Sequence, residues 1–304
     1  MRRVLVTGAT GFIGSHVVAP LAARGFEVHA IARKAPPEPG PPVIWHRGDL
    51  LDAVTTDAVV RDLRASHLLH LAWCTEHGAY WRSPANLDWI AATLRLVRSF
   101  RSAGGTRVVV AGTCAEYEWG DSCCDEQTPL NPATLYGAAK DATRRVLGAY
   151  AAGEELSFAW GRIFFVYGPR EQPERVMPLV ARAAVTGEPV ACSSGRQIRD
   201  FLYVEDVGSA FAALVDSCVG GSLDIGSGQG VPLRDILLEL ERLAGSEGVV
   251  RLGEAPDRDG EPTSIVADAR RLRGEVGWEP QVELREGLQR TLDWWRTRTL
   301  AGQR

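Results

Sequence analysis

Lysine is nearly missing from this chain of 304 residues. It occurs only at Lys34 and Lys140, and arginine supplies the other basic side chains. Keeping one lysine amid so much arginine marks Lys140 as a position wanting a compact ammonium whose pKa can shift. No apolar run approaches the roughly 18–20 residues that span a bilayer, which argues against a membrane protein. There is no basic surplus either. The formal net charge is −4, which speaks against a nucleic-acid partner. The six cysteines, Cys74, Cys114, Cys123, Cys124, Cys192 and Cys218, form no Cys-x-x-Cys pair and no zinc-like spacing with histidine. The simplest reading is a reduced, cytoplasmic chain with no metal site. The vicinal Cys123-Cys124 reads as two small residues in an acidic loop, with redox activity as the alternative. Repeats, low-complexity tracts and clear flexible linkers are absent as well. The apolar start, Val4-Leu5-Val6, stops at once at glycine-rich turn residues, so it reads as a buried strand and not as a signal peptide.

What is present is ordinary for a globular protein: 45% hydrophobic and 24% charged residues. The length suffices for one large or two modest domains. Short apolar runs at 4–6, 26–31, 43–46, 67–72 and 107–111 alternate with helical patterns, notably 15–23 and 86–101. That rhythm predicts an α/β fold, a doubly wound parallel sheet covered on both faces. A Pro-rich loop occupies 35–42. After about Phe165 the rhythm changes: prolines punctuate it and helices shorten. Residues 222–225 read as a strand returning to the main sheet, and about 284–297 as a last helix. The expected division is a dinucleotide-binding domain of 1–165 plus about 199–227. A smaller, interleaved C-terminal substrate-binding domain takes about 166–198 and 228–304.

Thr7-Gly8-Ala9-Thr10-Gly11-Phe12-Ile13-Gly14 lies between the first strand and the first helix. Gly8 permits the tight turn, Gly11 lets backbone approach a pyrophosphate, and Gly14 lets helix pack on strand. The helix start offers free N–H groups to phosphate oxygens. In this strand–turn–helix context the pattern reads as a dinucleotide site. The second strand ends in Ala32-Arg33-Lys34, with no carboxylate to hold a ribose 2′-hydroxyl and two cations suited to a 2′-phosphate. NADP(H) is therefore the expected cofactor, with NAD(H) as the alternative.

The glycine spacing resembles the fingerprint of the extended short-chain dehydrogenases/reductases, which have a Rossmann-type fold. That family includes NAD(P)-dependent nucleotide-sugar epimerases, dehydratases and ketoreductases. The resemblance implies cofactor contacts at Gly8, Thr10, Gly11, Phe12, Ile13, Gly14, Asp49, Leu50, Leu71 and Ala72. Tyr136-Gly137-Ala138-Ala139-Lys140 matches the family's Tyr-x-x-x-Lys, and a four-residue step puts both side chains on one helix face. A phenol with a reference pKa near ~10 needs a nearby cation to exchange protons at neutral pH, and Lys140 supplies one. Thr113, at the end of the fifth strand, stands at the family's Ser/Thr position, where a hydroxyl donates to developing negative charge.

The resemblance also implies a nucleotide-diphosphate sugar as substrate. Arg162-Ile163-Phe164-Phe165-Val166-Tyr167-Gly168-Pro169 matches an Arg-x-x-Asn-x-Tyr-Gly-Pro segment, with Phe165 in place of the Asn. Arg199, in Arg199-Asp200-Phe201-Leu202-Tyr203-Val204-Glu205-Asp206, and Arg258, in Arg258-Asp259-Gly260-Glu261, are the expected diphosphate contacts. Trp73 and Tyr117 are the expected sugar-side walls, with plain packing as the alternative. Sugar 4,6-dehydratases carry Asp-Glu directly after the Thr, where this chain has Cys114-Ala115. The 3,5-epimerase/reductases carry a Cys where Ala115 stands. Several phrases, among them Leu71-Ala72-Trp73 and Asn86-Leu87-Asp88-Trp89, are similar to CDP-abequose- and paratose-synthase-like 4-ketoreductases. The expected reaction is NADPH-dependent reduction of a nucleotide-linked 4-keto-6-deoxyhexose. A C4 epimerase with retained NAD is the alternative, and a non-catalytic dinucleotide sensor a more distant one. The family also implies a homodimer.

Overall fold

The chain is described by a computed structural model covering residues 2–34, 42–119, 124–125 and 127–302, with side chains through 299. Most of the Pro-rich loop of 35–42 and residue Cys123 of the vicinal pair lie outside the described residues. The first half supplies strands β1 (Arg2–Thr7), β2 (Phe26–Ala32), β3 (Ile44–Arg47), β4 (His67–His70), β5 (Arg107–Thr113) and β6 (Ser157–Ile163). Between them run helices α1 (Val18–Ala23), α2 (Ala53–Leu63), α3 (Ala85–Ser102) and α4 (Leu135–Gly153). The second half holds β7 (Phe165–Tyr167), α5 (Val176–Thr186), β8 (Val190–Cys192), β9 (Ile198–Tyr203), α6 (Val204–Asp216) and β10 (Gly221–Ile225). It ends with β11 (Gly230–Pro232), α7 (Leu233–Ala244), β12 (Val250–Leu252), β13 (Ser264–Ile265), α8 (Arg270–Gly274) and α9 (Leu284–Gly302).

Seven strands form one parallel sheet in the order β10-β6-β5-β4-β1-β2-β3. This is the expected doubly wound Rossmann-like sheet. Successive strand residues face opposite sides, so Val4, Val6, Val109 and Ala111 join α1 and α6 in one core. Leu5, Val108 and Val110 join α2, α3 and α4 in the other. Every residue of β5 is buried, as a central parallel strand covered on both faces must be. The chain runs outward from β1 through β2 to β3, then crosses to β4 on the other side. The crevice beyond the carboxyl ends of β1 and β4 is the point where strand order reverses, the general ligand position of such sheets.

A second layer is built around β9, which pairs with β7, β11 and β13. Helices α5, α7 and α9 close over their own core, which includes Met177, Val180, Ile236, Leu240, Leu292 and Trp295. Asp200 of β9 is fully buried and stitches the layers. Its carboxylate accepts from the N–H groups of Ser227 (2.8 Å), Gly228 (2.8 Å) and Ala267 (3.1 Å), and from the Ser227 hydroxyl. Among the described residues no helix is long and apolar enough to cross a membrane.

Two local elements differ from the sequence expectation. The fourth strand ends at His70 and not at Ala72. The first helix is split into a 3-10 turn at Gly14–His16 and α1 from Val18. Pro20 has no N–H to give the His16 carbonyl, so the α-helical ladder does not extend back through the turn. Inside the turn, Gly11 donates to the Gly8 carbonyl and Ser15 to the Gly11 carbonyl. Gly8 adopts φ +75°, and a side chain on Gly14 would collide with the Gly8 carbonyl. Gly14→Ala is expected to destabilise by about 2–3 kcal/mol through this overpacking. Gly25→Ala, at φ +80° with open space around it, should lose only about 1 kcal/mol. Urea unfolding of both variants is the check; equal losses would mean the turn relaxes around the new methyl.

Candidate active site

The glycine turn is pressed onto the end of β4. A side chain on Gly8 would stand 2.8 Å from the Ala72 nitrogen, and Leu71 N–H donates to the Thr7 carbonyl at 3.2 Å. Below it runs a buried chain of polar contacts: the Thr7 hydroxyl meets His70 Nδ1 at 2.7 Å, and His70 Nε2 meets the Thr93 hydroxyl at 3.0 Å. Burial pushes His70 down to about 3, so the imidazole is neutral and the chain uncharged. Thr10 and Gly11 are exposed, and Phe12 and Ile13 half-buried. A side chain on Gly11 would meet only the Gly8 carbonyl. No described backbone acceptor takes the N–H of Phe12 or Ile13. The turn thus offers open backbone donors beside a close-packed strand end, which fits a dinucleotide pyrophosphate. Asp49 uses its carboxylate locally, accepting from Leu51 N–H at 3.0 Å, and Leu50 is buried beside it. Arg33 and Lys34 are exposed at the end of β2.

The second group of residues comes from β5 and α4. Thr134 caps α4, its hydroxyl accepting from Gly137 N–H at 3.1 Å. A side chain on Gly137 would strike the Ala115 carbonyl, so the first turn of α4 rests on the 3-10 turn Cys114–Glu116. This contact brings Tyr136 to Thr113, with which it shares a side-chain hydrogen bond. The Thr113 oxygen also accepts from Ala115 N–H at 3.2 Å, which leaves its hydrogen free to donate. Burial holds the Tyr136 phenol above its ordinary range, reinforced by Tyr80 and opposed by the Thr113 bond. One helical turn on, Lys140 is buried and donates to the Ala111 carbonyl at 2.9 Å. Burial pushes Lys140 down to about 7, against the pull of Glu116 and Cys74.

Aromatic rings surround the Tyr136 phenol. Tyr80 meets it edge-on at 4.9 Å and Trp81 at 5.7 Å, and Tyr136 N–H donates to the Trp81 carbonyl. Burial pushes Tyr80 up to about 12, and the positive charges of Arg175 and Arg258 work against it. Arg258 is exposed on that side. Arg175 is an addition to the expected set, since in the sequence it looks like any surface arginine.

Other expected substrate residues lie in tighter surroundings. Arg199 is buried, donating to Glu261 at 2.9 Å and to the carbonyls of Ile198 and Pro262, with its guanidinium 5.4 Å from the Phe165 ring. Phe165 in turn packs on Phe201. The Tyr117 hydroxyl donates to Asp224 at 2.9 Å and accepts from Arg162 at 3.2 Å. The Trp73 ring is buried, its indole N–H donating to Asn86 at 2.8 Å. Cys114 is buried, and burial holds its thiol well above the ordinary value, which leaves it without nucleophilic character.

Beneath Thr113 stands a residue that escapes a reading of the sequence alone. Glu116 is fully buried. One oxygen accepts from Thr113 N–H (2.9 Å) and Trp160 Nε1 (2.8 Å), the other from Arg162 Nε (2.9 Å). Its signal is the capping-box spacing Thr113-Cys114-Ala115-Glu116. Its partners on β6 are more than forty residues away, out of reach of a local reading.

The profile of the NAD dependent epimerase/dehydratase family matches residues 4–226. The chain belongs to this family. A UDP-glucose 4-epimerase of Rhizobium meliloti (strain 1021) is 28% identical over 328 aligned residues, covering 98% of each chain. The CDP-abequose synthase of Salmonella typhimurium is 27% identical, covering 95% of this chain and 97% of its own. The crystal structure of Thermus thermophilus UDP-glucose 4-epimerase in complex with NAD superposes with a TM-score of 0.84 at 30% identity, covering 97% of this chain and 99% of that one. The protein is thus an enzyme of the nucleotide-sugar epimerase/dehydratase family, and the extended short-chain dehydrogenase resemblance holds.

Within the family frame, Glu116 fixes the backbone that presents Thr113. Glu116→Ala would leave Arg162 and Trp160 buried without their acceptor, at a cost of about 3–5 kcal/mol. Glu116→Gln keeps an acceptor in place and should lose clearly less. Denaturant unfolding of the pair tests this; a Glu116→Ala loss below about 1 kcal/mol would remove Glu116 from that role.

Proposed function

We propose that this enzyme reduces the 4-keto group of a nucleotide-linked 4-keto-6-deoxyhexose, using NADPH. The observation that carries the reading is the end of β2, where Arg33 and Lys34 stand exposed with no carboxylate in Ala32-Arg33-Lys34. Two cations there suit a 2′-phosphate, and the absence of an acid leaves a 2′-hydroxyl without its usual acceptor. Gly8, Thr10, Gly11, Phe12, Ile13 and Gly14 hold the pyrophosphate, Asp49 and Leu50 the adenosine end, and Leu71, Ala72 and Lys140 the nicotinamide half. When bound, the reduced dinucleotide supplies the hydride.

The residues of the chain handle the proton. Thr113 donates to the substrate carbonyl oxygen, where negative charge develops. Tyr136 gives its proton to that oxygen as the carbon is reduced. Lys140 is the cation whose field makes the phenolate accessible. Cys114 and Ala115 carry no acid or base for eliminating water, so the reading excludes a 4,6-dehydratase. The Tyr80–Trp81 pair offers an apolar wall to a deoxysugar face. Arg258, joined by Arg175, faces the diphosphate, where a forked cation suits phosphate oxygens. Arg199, paired with Glu261, shapes the wall at Phe165. Trp73 and Tyr117 back the pocket from below.

A second reading is a C4 epimerase that keeps NAD bound. It is supported by the epimerase relatives and by the NAD in the Thermus thermophilus structure. The cofactor separates the two, because a net reductase must exchange its dinucleotide at each turnover. Purified protein is expected to bind NADPH exchangeably. The double variant Arg33→Glu, Lys34→Ser should weaken NADPH at least about tenfold, the loss of one charge-assisted contact, and leave NADH nearly unchanged. NAD released only on denaturation, with no effect of the double variant, would select the epimerase. Under either reading Tyr136→Phe should abolish turnover with cofactor affinity retained; near-normal activity would remove Tyr136 from the mechanism.

A further inference from the structure

The Lys140 ammonium has three donors and only 3% exposure, yet among the described residues its one hydrogen bond is to the Ala111 carbonyl at 2.9 Å. Aromatic rings flank it as well. The face of the Trp73 ring lies 4.0 Å from Nζ, and the Trp160 ring follows at 6.0 Å. The ionisable groups around Nζ are Glu116 in the 3-10 turn, Cys74 after β4 and the neutral His70 at the end of β4. Both Glu116 and Cys74 favour the charged form, and neither is hydrogen-bonded to the ammonium. Without further help a cation so enclosed sheds its proton.

The Trp73 ring is held in place. Its indole N–H is held by Asn86 Oδ1 at 2.8 Å. Asn86 is itself fully buried and locked, donating to the Tyr80 and Ser83 carbonyls at 2.8 Å each. The Trp89 ring lies 6.2 Å from Trp73. A fixed indole face over a desolvated ammonium is the geometry in which the ring quadrupole attracts a cation most strongly.

We propose that Trp73 is a positioning residue for the reaction: its face holds the Lys140 ammonium charged and fixed against the Ala111 carbonyl, one helical turn from Tyr136. This rests on the reading of Lys140 as the cation that serves Tyr136. Trp73 then belongs to the proton machinery and acts on the substrate only through Lys140. It also ties that machinery to the Tyr80–Trp81 loop through Asn86.

The scarcity of lysine makes the test clean. Protein labelled with 13C,15N-lysine gives two side-chain signals, from Lys34 and Lys140, and exposed Lys34 serves as an internal reference. The titration midpoint of Lys140 is followed by NMR in cofactor-free protein. Trp73→Leu is expected to lower that midpoint by about one pH unit, a roughly tenfold loss of the charged form within the window, with Lys34 unmoved. Trp73→Phe, which keeps a weaker ring face, should lower it by less. An unchanged Lys140 midpoint in folded Trp73→Leu overturns the proposal. If that variant does not fold, Trp73→Phe decides: a midpoint at or above the wild-type value overturns it. The pH–rate profile should move in the same direction as the midpoint. Lys140→Met separates the two claims. If it retains full activity, the catalytic reading of Lys140 fails, while the NMR result on Trp73 stands or falls by itself.

Discussion

The carboxylate of Glu116 is the constraint on which the placing of Thr113 beside Tyr136 depends. It lies beyond the end of β5 and takes the backbone N–H of Thr113 and two side chains of β6 in the same few ångströms. Arg162 passes the connection on to Tyr117, and Tyr117 to Asp224 on β10. Three neighbouring strands are thereby fastened at their carboxyl ends. Parallel strands end there in carbonyls and loops with no ladder to organise them. A buried charge with matched donors supplies that organisation, and it fixes the angle at which the Thr113 hydroxyl faces Tyr136. The same negative charge, not bonded to Lys140, favours the ammonium from a distance. One anion thus serves geometry by contact and protonation by field.

The site as a whole separates two kinds of surroundings. On the side of the glycine turn, the polar chain Thr7–His70–Thr93 is neutral and saturated, so open backbone N–H groups provide the attraction for an anion. On the side of α4, a buried cation and two high-pKa phenols are gathered. Under the proposed function, proton exchange falls to the second side and phosphate recognition to the first. The strand crossover between β1 and β4 is what sets the two sides next to each other.

Much of this is legible in the sequence, and the limits are instructive. The parallel sheet follows from short apolar runs alternating with helical patterns, and the Gly8–Gly14 turn from glycine spacing between a strand and a helix. That Tyr136 and Lys140 lie one turn apart on a helix is legible, because four residues of helix fix their relation. Thr113 is picked out in the sequence only through the family resemblance, which puts a Ser/Thr at the end of the fifth strand. Glu116 escapes because its meaning lies in Trp160 and Arg162, which only strand pairing brings near. Trp73 reads in the sequence as a wall of the sugar pocket. Nothing local tells which way an indole faces, and its partner Lys140 sits on a different element. Arg199 and Tyr117 illustrate the same gap. A motif gives their position on the chain, but Glu261 and Asp224, which occupy them, are brought there by the fold. The split at the start of α1 is in principle readable from Pro20.

Asp200 has a mechanical implication. It belongs to the second sheet, yet the segment Ser227–Gly228 that it grips continues directly from β10 of the first. Any rotation of one layer against the other would strip a single buried carboxylate of several donors together. Such a joint resists bending as a rivet does, by concentrating the penalty at one point. The two layers are therefore held together as one body at this joint.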